Sequence, residues 1–171
     1  MICLGIDQSY TQIGISIAQG SSIDDGELLL VRWYNYKGLK DKTQKRRFVA
    51  KLIKKLIEKF NPDIIVVERI RLFSQGNVSI NYMKCTGALI ATIVDASYPK
   101  KVYSADTRSW KSRVCGKASG MHAGDKGVSV RYIRIRFDLD LNDDAADAIC
   151  IALYGLEANK FIKSKLLKKE E

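Results

Sequence analysis

The hydrophobic pattern at the start of this chain constrains its fold more than any other feature. Residues 2–7, 12–18 and 27–36 read as three β-strands: the first is an apolar run, the second places isoleucine at every other position, and the third is rich in Leu, Val, Trp and Tyr. The segments between them are short and contain residues typical of turns. We therefore expect the chain to begin with an antiparallel meander.

After residue 40 the pattern changes period. Apolar residues recur at three- and four-residue spacing over 41–60, which predicts an amphipathic helix, and the apolar run 63–68 predicts a strand buried on both faces. The other predicted elements are helices at 78–96, 107–114, 125–137 and 143–159, a strand at 100–105 and a loop at 116–124. The order βββαβαβααα predicts an α/β fold in which helices flank a mixed five-stranded sheet. We expect one domain over residues 1–160 and a basic tail over 161–171.

The chain carries a large positive charge. It contains 29 Lys plus Arg against 19 Asp plus Glu, a formal net charge of +10, which favours binding to nucleic acid or to an anionic membrane surface. No stretch approaches the ~20 apolar residues of a membrane span, and no leader precedes the first strand. We therefore expect a cytoplasmic protein with no membrane partner. Four separated cysteines and one histidine favour buried thiols over a zinc site or a disulfide framework.

Two acidic residues stand where apolar strands end. Asp7 follows the apolar run 2–6, and Glu68 follows the run 64–67. A single acid at a strand end is more often a cap or turn residue. In this topology, however, the first and fourth strands commonly lie side by side and parallel, which would bring the two acids close together. Like charges that close require a cation or a raised pKa, so the pair favours a functional site.

A second pair of acids opens the last predicted helix. Asp144 and Asp147 are three residues apart and therefore share one helical face. Acids in a first turn are also favoured by the helix dipole and by exposed N–H groups. Residues 142–144 are sufficient for that capping role, which leaves Asp147 without an explanation as a cap.

The donor type of these four side chains indicates which metal they would hold. Carboxylates with no His or Cys among them select hard cations, so we expect Mg²⁺, with Mn²⁺ as a substitute. Two such ions bridged by a shared carboxylate would clamp a scissile phosphate. Acids gathered in a basic chain thus predict metal-dependent cleavage of a nucleic-acid backbone, without a small-molecule cofactor.

Three segments carry a resemblance to a known family: LGID at 4–7, VVE at 66–68 and DAADA at 144–148. In order and spacing, over roughly residues 1–158, they resemble the RuvC family of Holliday-junction resolvases, and its bacteriophage members most closely. The resemblance implies an RNase H-like fold with strand order 3-2-1-4-5. It also implies a homodimer that nicks two strands of a DNA junction with two Mg²⁺ ions per active site, leaving 5′-phosphate and 3′-hydroxyl ends. Asp7, Glu68, Asp144 and Asp147 take the metal-ligand and catalytic roles.

The resemblance also indicates which residues contact DNA. Segment 110–116 matches the family's basic stretch ahead of a glycine, so Lys111 is the candidate for a basic catalytic residue beside the scissile phosphate. Bacterial members place an aromatic wedge three residues after the glutamate, where this chain has Arg71; Phe73 could insert at the crossover instead, or belong to the core. The candidate phosphate contacts are Arg69, Arg71, Lys111, Arg113 and Lys117.

Several alternatives stay open. A fork- or flap-selective nuclease and an RNase H acting on RNA–DNA hybrids would share the metal site and differ in substrate. A non-catalytic, basic nucleic-acid-binding module would use the acids only as helix caps. The segment 41–59, rich in Lys and Arg, is read first as a solvated helix face and second as a surface for a DNA arm.

Overall fold

Five strands form a mixed sheet in the order β3-β2-β1-β4-β5, as predicted. The computed structural model describes residues 1–39, 41–69, 80–116 and 127–167, with side chains of residues 80–83 and 158–167 left out. The strands are β1 (Ile2–Gln8), β2 (Gln12–Gln19), β3 (Glu27–Asn35), β4 (Ile64–Glu68) and β5 (Val102–Ala105). β1 pairs antiparallel with β2 and parallel with β4, so β1, β3, β4 and β5 all end at the same edge of the sheet.

The helices follow the predicted order. They are α1 (Lys42–Phe60), α2 (Ile80–Ser97), α3 (Thr107–Val114), α4 (Val128–Phe137) and α5 (Asp143–Leu167). The prediction that the last helix ends at 159 was wrong, because α5 continues to Leu167. Residues 156–167 contain neither glycine nor proline, the residues that most readily end a helix. None of the described helices is both long enough and apolar enough to cross a membrane.

The sheet is covered on both faces, which explains the continuous apolar run of β4. On one face, Cys3 and Val66 pack with buried side chains of α3, α4 and α5, among them Trp110 and Ile149. On the other face, the alternate residues of the same strands pack against α1 and α2; they include Leu4, Ile6, Ile65 and Val67. This two-sided burial leaves polar groups of β1 and β4 to gather at the edge where the strands end.

Two glycines allow α5 to lie directly on the sheet. A Cβ at Gly5 in β1 would lie 2.5 Å from the Ala148 carbonyl oxygen, and a Cβ at Gly14 in β2 would clash with the Asp144 carbonyl oxygen. Gly14 is the cross-strand partner of Asp7. The first turn of α5 is therefore held over the strand pair that carries Asp7.

Candidate active site

The four predicted carboxylates come together at the edge of the sheet where β1 and β4 end. Asp7 is the penultimate residue of β1, and Glu68 is the last residue of β4. The two strands are parallel neighbours in which Ile6 pairs with Val67, which confirms that Asp7 and Glu68 lie on adjacent strands. Asp144 and Asp147 belong to the first turns of α5, which Gly14 allows to sit over the same edge.

The electrostatics of Asp7 show how near these groups are to one another. Burial raises the pKa of Asp7 well above its usual range, and the carboxylates of Glu68, Asp147 and Asp144 raise it further. Burial also raises the pKa of Asp144 and of Asp147, and Glu68 contributes to both shifts. Burial is the largest cause of each of these pKa shifts, and the neighbouring carboxylates add to it.

Asp144 is held by Trp33, which lies on β3, the strand at one edge of the sheet. The indole N–H of Trp33, on β3, donates a hydrogen bond to Asp144 Oδ2 at 3.0 Å. This bond partly offsets the effect of burial on the pKa of Asp144. The residue as a whole is 40% exposed.

Asp147 is paired with Lys111. The Lys111 ammonium lies 3.4 Å from Asp147 Oδ2, and both side chains are largely buried, with 20% and 17% exposure. The Lys111 ammonium lowers the pKa of Asp147 and thereby opposes the effect of burial, which raises it. The predicted basic residue therefore stands among the carboxylates, next to one of them.

Glu68 is oriented by the start of α3. The Thr107 hydroxyl donates to Glu68 Oε1 at 2.8 Å, and the Gln8 side-chain amide donates to the Glu68 backbone carbonyl at 3.1 Å. Asp106 caps α3 by accepting a hydrogen bond from the Arg108 N–H. The Thr107 hydroxyl is therefore not needed as a cap and can bind Glu68. Both contacts tie the end of β4 to its neighbours.

The donor set fits a hard divalent cation. In the conformation of the described residues, no three acidic, His or Cys side chains are arranged to hold one ion. Trp33, Lys111 and Thr107 each engage one carboxylate in this conformation. The four oxygen-donor groups still repel one another, as the raised pKa of Asp7 shows. Carboxylates of this kind, compensated only in part by the Lys111 ammonium and by the neutral donors of Trp33 and Thr107, match the preferences of Mg²⁺ and Mn²⁺.

The predicted DNA contacts divide into two groups. Arg69 is exposed directly after β4, and its N–H is held by the Ala105 carbonyl at 2.8 Å. Arg113 lies on α3, where its Nε pairs with the buried Glu157 at 2.7 Å, so part of its guanidinium serves the contact between α3 and α5. Arg71, Phe73 and Lys117 lie outside the described residues, and their roles stay predictions.

Sequence reasoning missed Trp33 and Thr107. A signal for Thr107 existed: Ala105 is in register with Glu68, so a hydroxyl just after β5 belongs near the end of β4. Trp33 gave no local signal, because it is 111 residues from Asp144 and the two meet only when α5 packs across β2.

Comparison with known proteins identifies relatives over nearly the whole chain. Proteins named crossover junction endodeoxyribonuclease RuvC from Prochlorococcus marinus and Petrotoga mobilis are each 26% identical to it, over 158 and 161 residues. The matches cover 91% and 89% of this chain, and 98% and 91% of the respective relatives.

Solved structures show the same fold. The structure of T. thermophilus RuvC in complex with a Holliday junction substrate superposes with a TM-score of 0.72 at 16% identity, covering 94% of this chain and 96% of that one. The yeast mitochondrial Holliday junction resolvase Ydc2 gives a TM-score of 0.65 at 19% identity, covering 99% of this chain and 84% of that one. The predicted RNase H-like fold is thereby confirmed.

A family model described as crossover junction endodeoxyribonuclease RuvC matches residues 3–154. The match spans both strand-end acids and both acids of α5, the same segments from which the resemblance was drawn. This chain belongs to the RuvC family of crossover junction endodeoxyribonucleases.

Proposed function

We propose that this protein resolves Holliday junctions by metal-dependent hydrolysis of phosphodiester bonds, leaving 5′-phosphate and 3′-hydroxyl ends. The observation that carries the proposal is the convergence of four acids on one sheet edge in a chain of net charge +10. A binding module that used its acids as helix caps would have no reason to bury Asp7 against Glu68 and raise its pKa.

Asp7, Glu68, Asp144 and Asp147 would hold two Mg²⁺ ions, for which Mn²⁺ would substitute. When bound, these ions would supply an activated water and neutralise charge on the scissile phosphate. The chain's own contribution is to orient the ligands: Trp33 fixes one oxygen of Asp144, and Thr107 fixes one oxygen of Glu68. Such outer contacts set the direction in which a carboxylate presents its remaining lone pairs.

Lys111 is the proposed basic residue at the scissile phosphate. Its ammonium is only partly exposed and lies 3.4 Å from Asp147 Oδ2, within reach of a phosphate oxygen that approaches the same carboxylate. A cation at this position stabilises negative charge that develops on the phosphate during hydrolysis. Arg69 is exposed beside the same edge and would contact the DNA backbone without reading its sequence.

We further propose that the active unit is a homodimer. Symmetric nicking of a junction requires two copies of the site, and one face of α2 supports such a contact. Val94 is 45% exposed, Tyr98 directly after the helix is 86% exposed, and Ala91 on the same face is exposed as well. An apolar stripe of this kind is typical of a surface that a second copy covers.

The test is cleavage of defined DNA shapes by the purified protein. Fixed and mobile four-way junctions, three-way forks, linear duplex and RNA–DNA hybrid are incubated with Mg²⁺, with Mn²⁺ and with EDTA. Paired symmetric nicks in four-way junctions, absent with EDTA, are expected. Equal cutting of forks would make the protein a branch-selective nuclease, and cutting of the hybrid alone would make it an RNase H.

The matched control is Asp7→Asn. The variant keeps the size of the side chain and removes its charge, so it should bind junctions and fail to nick them. If no DNA shape is cut by the unmodified protein, the nuclease proposal fails. If Asp7→Asn still nicks at the unmodified rate, the metal-ligand assignment fails while the nuclease proposal stands.

A further inference from the structure

The surface between α1 and α2 carries a basic groove on the sheet face opposite α5. Two adjoining cavities of about 410 and 200 Å³ lie between these helices and share Thr43 and Arg46 in their lining. Together they form what is here termed the α1–α2 groove. Its basic lining residues are Lys42, Lys45, Arg46, Arg47, Lys54 and Lys84. Of the acidic residues that the structure describes, Asp95 alone lines it.

Within the described part of the chain, no acidic side chain forms an ion pair with the basic residues of this groove. Among the described residues, the ion pairs are those of Lys111 with Asp147 and Arg113 with Glu157, and neither involves the groove. Like charges spaced three or four residues apart on a helix destabilise it, and α1 carries several such pairs. An uncompensated cluster of this kind is typical of a surface that binds a polyanion.

Part of the groove is preorganised. Lys45, only 5% exposed, places its ammonium 3.9 Å from the centre of the Tyr10 ring and donates to the Tyr10 carbonyl at 3.3 Å. Arg46 Nε donates to the Thr92 hydroxyl at 2.9 Å, which fixes the guanidinium between the two helices. Lys45 is thereby buried in the wall of the groove, whereas Arg46 is exposed and already held in place, so a ligand that binds Arg46 loses less of its conformational entropy.

The position of the groove relates it to the active-site edge. Tyr10 lies in the turn after β1, three residues beyond Asp7, and lines the end of the groove near Lys42. From Lys42 to Lys54 the helix extends about 18 Å, which corresponds to roughly five base-pair steps of duplex DNA. The groove therefore starts at the edge that holds the carboxylates and runs away from it, on the sheet face opposite α5.

We propose that the α1–α2 groove binds the phosphate backbone of a DNA arm that leaves the active-site edge. This inference rests on the proposed junction-resolving function and adds to it a second DNA contact, outside the scissile strand. Lysine and arginine side chains without acceptor groups hold phosphates and do not read bases, so the contact is independent of sequence. Neither Val94 nor Tyr98 lines the groove, so DNA in the groove and a second copy on α2 use different surfaces.

The experiment compares two double variants of the full-length protein. Arg47→Gln with Lys54→Gln removes two charges from the groove. Lys55→Gln with Lys59→Gln removes two charges from the same helix outside the groove lining. Binding to a four-way junction is measured in EDTA over a range of salt concentrations, and nicking is measured in Mg²⁺ at saturating protein. Circular dichroism and sedimentation confirm that fold and oligomeric state match the unmodified protein.

We expect the groove variant to bind roughly 10-fold more weakly at moderate salt, with a salt slope reduced by about two, since each lost phosphate contact removes about 0.9. The control variant should keep its slope, and nicking at saturation should be unchanged in both. Shortening the junction arms to a few base pairs should abolish the difference between unmodified protein and groove variant.

Equal binding by all three proteins would overturn the inference, as would equal losses in both variants, which would indicate general electrostatic attraction. A change in sedimentation in the groove variant alone would reassign the groove to a protein contact. These outcomes are separate from failure of the proposed function, which the unmodified protein's nicking assay reports.

Discussion

The indole N–H of Trp33 donates a 3.0 Å hydrogen bond to Oδ2 of Asp144, joining the outer strand of the sheet to the first turn of α5. The bond occupies one lone pair of a carboxylate that is proposed to hold a metal. Because the indole holds Oδ2, it also fixes the direction in which the other oxygen, Oδ1, points. An aromatic residue that is 40% exposed thus acts on the candidate active site from the far side of β2.

Replacing Trp33 by Phe should weaken metal binding more than it weakens folding. An aromatic ring is kept, although a smaller one than indole, and the N–H is lost, so the orientation of Asp144 is no longer fixed. Loss of such an outer contact typically costs about 10- to 100-fold in metal affinity or activity. The measurement is nicking rate as a function of Mg²⁺ concentration, with Tb³⁺ luminescence as a binding assay independent of cleavage. Tyr34→Phe, on the opposite face of β3 in contact with Phe48, should leave both unchanged.

Lys111→Met should abolish most nicking and move its pH dependence. Burial raises the pKa of Asp147, and the Lys111 ammonium is one of the groups that lower it. Without that ammonium the pKa of Asp147 rises further, so the acidic limb of the pH–rate profile should shift to higher pH. We expect a rate loss on the order of 100-fold. Arg113→Gln, which breaks the pair with Glu157, should lower thermal stability without shifting that limb.

Asp7→Asn should stabilise the metal-free protein at neutral pH. The folded-state pKa of Asp7 is raised by burial and by Glu68, so its contribution to stability is full below the unfolded-state pKa and is lost as pH rises through the folded-state pKa. A neutral amide avoids that loss, and the melting temperature should rise by on the order of a few °C at pH 7 to 8. The difference should shrink at acidic pH.

Asp25→Asn should change the melting temperature at neutral pH in the opposite direction to Asp7→Asn. Hydrogen bonds from Ser21 and Ser22 hold the pKa of Asp25 well below its usual range, so its contribution is present above the unfolded-state pKa and is lost as pH falls. This variant should melt lower than the unmodified protein at neutral pH.

Adding Mg²⁺ should raise the melting temperature of the unmodified protein more than that of Asp7→Asn. Equal responses to Mg²⁺ would contradict the assignment of Asp7 as a ligand.

A comparison of Asp7 with Trp33 shows which parts of the candidate site can be predicted from the sequence. Asp7 and Glu68 were predictable because each follows an apolar strand, and parallel neighbouring strands end at one edge. Asp144 and Asp147 were predictable from helical spacing alone. Trp33 was not, because its contact depends on how closely α5 approaches β2, which is set by the absence of a Cβ at Gly14. Local patterns specify elements, whereas contacts across them depend on packing that spans the whole chain.

Only Cys85 should react with a thiol reagent in the native protein. Cys3, Cys115 and Cys150 are buried, and Cys85 is partly exposed, in agreement with the expected buried thiols for three of the four. Burial raises the pKa of Cys3 and of Cys150, which further suppresses their thiolates, whereas the hydrogen bond with Cys150 lowers the pKa of Cys115, so Cys115 is protected by its burial alone. Titration with a chromogenic disulfide should therefore count about one fast thiol before denaturation and four after it. Fast reaction of Cys115 or Cys150, whose sulfurs lie 3.8 Å apart, would indicate that α3 separates from α5 in solution.

Gly14→Ala should inactivate the protein without changing any acid. The new methyl would clash with the backbone carbonyl of Asp144, so the first turn of α5 must move away from Asp7. Overpacking of this kind costs about 1–3 kcal/mol of stability, and a displacement of about 1 Å at a reacting centre can lower the rate on the order of 100-fold. The measurement is nicking rate together with junction affinity, which should stay near that of the unmodified protein. Gly38→Ala serves as the control, because a Cβ there meets nothing within 4 Å; it should preserve both stability and rate. A Gly14→Ala protein that nicks at the unmodified rate would show that the position of Asp144 over β1 and β2 is not what assembles the site.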